Sequence, residues 1–112
     1  IYENVAAQEL KAHGFELYYF NSKKQGELDF VIEYKGNVLP LEIKSGKAYT
    51  RHNALDNVLK EERYAIPQAF VFCNKNISTQ EKIAYLPIYM IGFLEKEKIE
   101  EYIYSIDLSA LQ

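Results

Sequence analysis

The sequence has few means of cross-linking, anchoring or attracting a polyanion by bulk charge. It holds one cysteine, Cys73, so no internal disulfide can form. That usage suits a reducing, cytoplasmic setting. Cys73 closes the apolar run Ala69-Phe70-Val71-Phe72-Cys73, where a buried, inert thiol is expected. No apolar stretch reaches the roughly 18 residues of a membrane span, so no membrane partner is expected. There is no basic excess either: the net charge is −3. A domain that grips nucleic acid by itself usually carries a basic footprint, so the placement of the charges matters more than their sum. The opening Ile1-Tyr2-Glu3-Asn4 has no basic leader and no initiator Met. No signal peptide is expected, and the expectation is a chain cut from a longer polypeptide.

What is present describes one globular domain. The 112 residues match the length of a single unit, and 48% are hydrophobic. Such a chain buries roughly two-thirds of its unfolded surface without staples. Internal repeats, linkers and low-complexity tracts are lacking.

The opening segment reads as a helix. Ile1, Tyr2, Val5, Ala6, Leu10 and Ala12 share an apolar arc, and Gly14 supplies the C-terminal stop. Glu3 lies about 20° from Leu10 on that wheel, at the edge of the buried face. Residues 15–20 (FELYYF) are strand-like, and residues 21–26 form a polar loop. Residues 27–34 and 38–44 are two β-rich runs around Lys35-Gly36-Asn37. Residues 45–52 form a polar, basic loop, and residues 53–64 carry helical spacing. Residues 69–73 form a wholly apolar strand expected to be covered on both faces. Residues 74–80 read as loop, residues 82–86 as a further strand, and Pro87 as the opening of a short helix. The tail, residues 95–112, fits helix or strand equally. The order αβββαβ(β)α predicts an α/β domain, a mixed β-sheet flanked by helices.

The informative region is the hairpin. Side chains alternate faces along a strand. Leu28, Phe30, Ile32 and Tyr34 share one face of the first run, and Leu39, Leu41 and Ile43 one face of the second. Both sets need the same core, so a two-residue loop is required. Lys35-Gly36 places Asp29 opposite Glu42; Gly36-Asn37 places Asp29 opposite Lys44, with Glu42 diagonal. In both registers Asp29, Glu42 and Lys44 emerge on one face, about 5–8 Å apart at Cβ. Val31, Val38 and Pro40 share that face and partly cover it.

Two carboxylates this close repel, and at least one pKa rises unless a cation intervenes. Oxygen ligands of this kind suit a hard divalent ion, Mg²⁺ or Mn²⁺. The backbone carbonyl of Ile43 is a candidate third ligand. Lys44 is then placed to orient or deprotonate a water, or to stabilise charge on a phosphate.

These residues give the chain a resemblance to the PD-(D/E)XK, or restriction-endonuclease-like, superfamily. More narrowly, it resembles the uncharacterised C-terminal module of prokaryotic AAA+-type ATPases. The matching segments are Glu3-Asn4-Val5-Ala6-Ala7-Gln8-Glu9-Leu10, Gly26-Glu27-Leu28-Asp29-Phe30-Val31-Ile32 and Leu39-Pro40-Leu41-Glu42-Ile43-Lys44-Ser45-Gly46, with a weaker match at residues 86–91. Leu28 stands where the named motif has Pro. The resemblance implies a restriction-endonuclease-like sheet and a site of Glu3, Asp29, Glu42 and Lys44. It implies a metal-dependent nuclease-like domain acting on or binding DNA phosphodiesters. The domain would span residues 1–112, behind an upstream ATPase domain that alone would bind ATP. A catalytically inactive DNA-binding module, or a protein-interaction and assembly module with the tail as contact surface, is the alternative.

Ser45, Lys47 and Arg51 follow the site strand and are candidates for nucleic-acid contact. Glu27 is a spare carboxylate or a strand-end charge. His13 and His52 have no metal-ligand spacing and receive no catalytic role. Tyr18, Tyr19 and the other tyrosines are expected to pack in core and sheet, not to serve as base-stacking platforms. A homo-oligomer is compatible with the sequence.

Overall fold

The computed structural model describes residues 2–34, 36–47 and 49–93, without the side chains of Tyr2, Glu3, Tyr34 and Phe93. The expectations for residues 95–112 lie outside the described residues. Six strands form one sheet, β1 (Tyr18–Ser22), β2 (Gly26–Tyr34), β3 (Asn37–Ile43), β4 (Ala69–Cys73), β5 (Ser78–Gln80) and β6 (Ile83–Pro87). Their spatial order is β1-β2-β3-β4-β6-β5. β1, β2 and β3 form an antiparallel meander, β3, β4 and β6 run parallel, and β5 returns antiparallel at the far edge. The chain is thus an α/β fold with a mixed six-stranded sheet and two helices, α1 (Tyr2–Ala12) and α2 (Asn53–Lys60).

The β4 run explains why both faces are covered. All five of its residues are buried. Phe70 and Phe72 point into a core shared with Ala6 and Leu10 of α1, Leu41 and Ile43 of β3, and Leu86 of β6. Ala69, Val71 and Cys73 point the other way, into a core with Leu55 and Val58 of α2 and Tyr85 of β6. Helices therefore lie on both sides of the sheet, as a parallel run of apolar strands requires.

The β2–β3 pairing resolves the register left open by the sequence. Tyr34 pairs with Asn37, Ile32 with Leu39 and Phe30 with Leu41, which is the register of the Lys35-Gly36 turn. Gly36 takes φ +80, a value that favours glycine. Phe30, Ile32, Leu39, Leu41 and Ile43 share the α1-side core as the alternation predicts.

Several expectations are corrected. Leu28 does not share a face with Phe30; it lies in the α2-side core with Val31. Against β1, Tyr18 pairs with Val31 but Phe20 pairs with Leu28, so β2 carries an extra residue between them. Such a bulge reverses the alternation, and it falls at Asp29-Phe30. The first strand begins at Tyr18, not at residue 15, because Phe15 is buried just past α1. On the edge strand β1, Tyr18 and Tyr19 are 46% and 70% exposed, so they are not core. Val5 is half exposed on α1, which buries Ala6 and Leu10 instead. The helix expected over residues 53–64 breaks at Glu61, which is extended, and resumes as a 3-10 helix at Glu62–Tyr64. Residues 78–80, expected as loop, are β5. Pro87 ends β6, and the 3-10 helix Ile88–Phe93 follows it.

Candidate functional site

Glu42 and Ile43 are the last two residues of β3, and Asp29 lies near the start of antiparallel β2, so the two strands bring them to one end of the sheet. The regular pairing stops at Phe30–Leu41. One step further, the carboxylates take over bonds that a longer ladder would have made. The Asp29 N–H donates to Glu42 Oε1 at 3.2 Å, and the Ile43 N–H donates to Asp29 Oδ2 at 2.9 Å. Each carboxylate thus caps the backbone beside the other, which holds both side chains near the bulge. Lys44 Nζ lies 3.6 Å from Glu42 Oε2.

This arrangement loads charge onto a buried group. Glu42 is only 5% exposed. Burial, and then the neighbouring Asp29 carboxylate, push its pKa from the ordinary 4.5 up to about 7, against the weaker pull of the Asp29 N–H and Lys44. Glu42 therefore keeps its proton well above the pH at which an ordinary carboxyl loses it.

The backbone supplies a further oxygen. The Lys44 N–H donates to Phe72 O of β4 at 2.8 Å. Successive residues of a strand turn to opposite sides, so Ile43 turns its N–H and C=O toward β2, where Asp29 receives the N–H. Two carboxylates and a carbonyl from β2 and β3 form an all-oxygen donor set. Such a set fits Mg²⁺ or Mn²⁺, which keep several waters, better than zinc or copper. Among the described residues no group of three His, Cys, Asp or Glu side chains is placed to hold a metal. Glu3 is in the first turn of α1, and its side chain is outside the described set.

The other predicted residues fall around this centre. Ser45, Lys47 and Arg51 are exposed on the segment between β3 and α2. Glu27 is exposed and pairs with Asn21 at the strand end, which favours its reading as a strand-end charge.

Sequence reasoning missed the anchor of that segment. His52, at the N-cap of α2, is 6% exposed. Its Nδ1 lies 3.0 Å from Asp56 Oδ1 and its Nε2 2.8 Å from the Tyr85 hydroxyl. Burial holds the Tyr85 phenol above its usual pKa, and its hydroxyl and the Asp56 carboxylate hold the two ring nitrogens of His52 between them. Tyr85 also meets Tyr49 edge to face, with ring centroids 5.6 Å apart. The only sequence signal was Asp56 one helical turn beyond His52; Tyr85, 33 residues away, was not foreseeable.

Together the fold and the site define an α/β protein whose mixed sheet carries an interlocked carboxylate pair and a lysine at the carboxyl end of a parallel strand. The family model described as "Domain of unknown function (DUF4143)" matches residues 1–91, and the chain belongs to that family. No curated protein matches the chain. No helix of the described residues is long and apolar enough to cross a membrane.

Proposed function

We propose that this chain is a metal-dependent, nuclease-like domain of restriction-endonuclease-like type that acts on DNA phosphodiesters. The observation that carries the reading is the Asp29–Glu42 pair, held in place by two backbone amides with Lys44 alongside. Burial, and then the neighbouring Asp29 charge, drive Glu42 toward its neutral form, a cost set against the two backbone bonds that the pair makes. A divalent cation removes that conflict.

Asp29, Glu42 and the Ile43 carbonyl would hold Mg²⁺ or Mn²⁺, which supplies Lewis-acid polarisation of a phosphoryl oxygen when bound. Lys44 stays out of the ligand set. Its ammonium orients the attacking water or stabilises negative charge gathering on the phosphate. The backbone caps keep both carboxylates in position before any ligand arrives, which lowers the cost of ordering them. Ser45, Lys47 and Arg51 contact the phosphates that flank the reacting one. Glu3, from α1, is the candidate for an additional oxygen. In this reading the domain belongs to a longer cytoplasmic polypeptide with an ATP-binding unit upstream.

The test separates ligand from catalyst. Mn²⁺ binding, followed by calorimetry or electron paramagnetic resonance, is expected for the wild type and is lost in Glu42→Gln, because a neutral amide attracts a hard cation poorly. Lys44→Ala keeps Mn²⁺ but lowers cleavage of duplex, branched and single-stranded DNA by about 10²–10⁴-fold. Wild type and Glu42→Gln that are indistinguishable at millimolar Mn²⁺ would end the metal-site reading. Metal binding without cleavage on any substrate would leave a binding module of the same architecture.

A further inference from the structure

Three surface grooves differ in chemistry. One, beside the β1 edge, is lined by apolar and aromatic side chains such as Tyr19, Leu28, Val58 and Ile66. A second, under the end of α2, carries four carboxylates, among them Glu61 and Glu62, with Lys60 and Lys82. The third, of about 490 Å³, is lined by residues 73–76 and 87–89. Among the described residues its lining has no acidic side chain, although the chain as a whole is acidic. It presents Lys75, the amides of Asn74 and Asn76, and the Tyr89 ring, which is 72% exposed.

Register places this groove beside the carboxylate site. Ile43 pairs with Phe72, and Cys73 pairs with Pro87. Extending both pairings by the same direction of travel puts Ser45, Asn74 and Ile88 at one level across β3, β4 and β6. The span from Ser45 to Ile88 is then two strand spacings, roughly 10 Å. Contact confirms the continuity: Asn74 Nδ2 donates to Ser45 O at 3.3 Å. Lys75 Nζ lies 5.9 Å from the Tyr49 ring, on the segment that carries Lys47 and Arg51. In sheets of parallel strands, ligands gather outside the carboxyl ends, which is where these loops meet.

We propose that this groove is a track for unpaired nucleic acid leading to the Asp29–Glu42 site. The proposal rests on the phosphodiester reading above and adds the substrate class, a polynucleotide with a single-stranded segment beside the reacting phosphate. Tyr89 is the stacking platform. Lys75 meets a phosphate, and Asn74 and Asn76 offer amides to base edges or phosphate oxygens. A duplex has its base faces already stacked and gives an exposed tyrosine nothing to stack on, which is why the occupant is a single strand.

The experiment uses the full chain, a fluorescein-labelled oligothymidine and a hairpin duplex of equal nucleotide count, followed by anisotropy in EDTA. The oligothymidine should bind more tightly than the duplex. Tyr89→Ala should weaken oligothymidine binding about tenfold, and Tyr89→Phe should restore it, since the ring alone stacks. Lys75→Ala should lower the salt slope by about one. Tyr89 is exposed, so circular dichroism should show its variants folded. Equal binding by Tyr89→Ala and wild type, a preference for duplex, or no binding of either nucleic acid would overturn the track. Mn²⁺ binding on the same samples keeps the two readings apart. Retained Mn²⁺ binding with no effect at Tyr89 refutes the track and spares the metal site. Tyr89-dependent oligothymidine binding with no Mn²⁺ binding supports the track and refutes the metal site.

Discussion

Replacing Glu42 by Gln should make the metal-free protein more stable at pH 8 and, at the same time, deaf to Mn²⁺. In the folded chain the Glu42 carboxyl titrates at about 7, against an ordinary 4.5. Between those values the folded state holds a proton that the unfolded state has lost, so stability falls as pH rises through the window and levels off above it. At about 1.4 kcal/mol per pH unit, the full cost is about 3 kcal/mol at pH 8. At pH 5 it is below about 1 kcal/mol, because that pH lies only just above the ordinary 4.5 at which the unfolded carboxyl titrates. Glutamine keeps an oxygen for the Asp29 N–H and has no charge to bury. It loses the Lys44 contact, whose pull is already counted in the net rise. Thermal or urea denaturation in EDTA should therefore show Glu42→Gln ahead of wild type at pH 8 by up to about 3 kcal/mol, roughly 10 °C in Tm for a domain of this size. At pH 5 the two should nearly coincide. Mn²⁺ at about a thousand times its Kd should return about 4.1 kcal/mol to the wild type and nothing to the variant, which reverses their order. A Glu42→Gln protein less stable than wild type at pH 8 in EDTA would show that the buried carboxylate is not under electrostatic strain, and the argument would fail.

Other perturbations report on the geometry around the site. Asp29→Asn should fold nearly as well as wild type, since its amide oxygen can still accept the Ile43 N–H. Asp29→Ala strands that amide and should cost about 1–3 kcal/mol in urea denaturation. Both should bring the Glu42 pKa down, measurable by carbon-13 titration of its carboxyl, because the Asp29 charge is one cause of its rise. His52→Ala removes a buried ring, leaves Asp56 and Tyr85 without it and should cost about 2–4 kcal/mol; Tyr85→Phe takes away only the Nε2 contact and should cost about 1 kcal/mol. Gly26→Ala should lose about 1–3 kcal/mol by thermal melt, for two reasons. Its φ is +105, and its added Cβ would sit 2.9 Å from the Cβ of Ala54.

The hairpin was legible because a strand's two-residue period is strict. Once Leu39, Leu41 and Ile43 had to face the same core as Phe30 and Ile32, the parity of the turn followed, and with it the approach of Asp29 to Glu42 and Lys44. The choice between Lys35-Gly36 and Gly36-Asn37 was not legible, because both are acceptable turns and differ only in which tertiary neighbours they align. The β4 strand was legible for a similar reason: five apolar residues in succession leave no polar face to expose to water. α1 was recognised but its buried stripe was too wide, since periodicity alone does not say how much of an arc a neighbour covers. Val5 lies outside that cover.

By itself, the amino-acid sequence determined the α/β class, the two strands of the hairpin, the wholly buried central strand and the carboxylates and lysine that belong together. These rest on local period and turn chemistry, which are properties of neighbouring residues. The tertiary structure alone decided the rest. The bulge at Asp29-Phe30 arises from pairing with β1, and it moves Leu28 to the other core. The raised pKa of Glu42 arises from its burial and then from Asp29. The anchor of His52 and the groove beside Ser45 depend on residues from β4 and β6, which lie far along the chain and meet the site only because parallel strands bring their carboxyl ends to one side of the sheet.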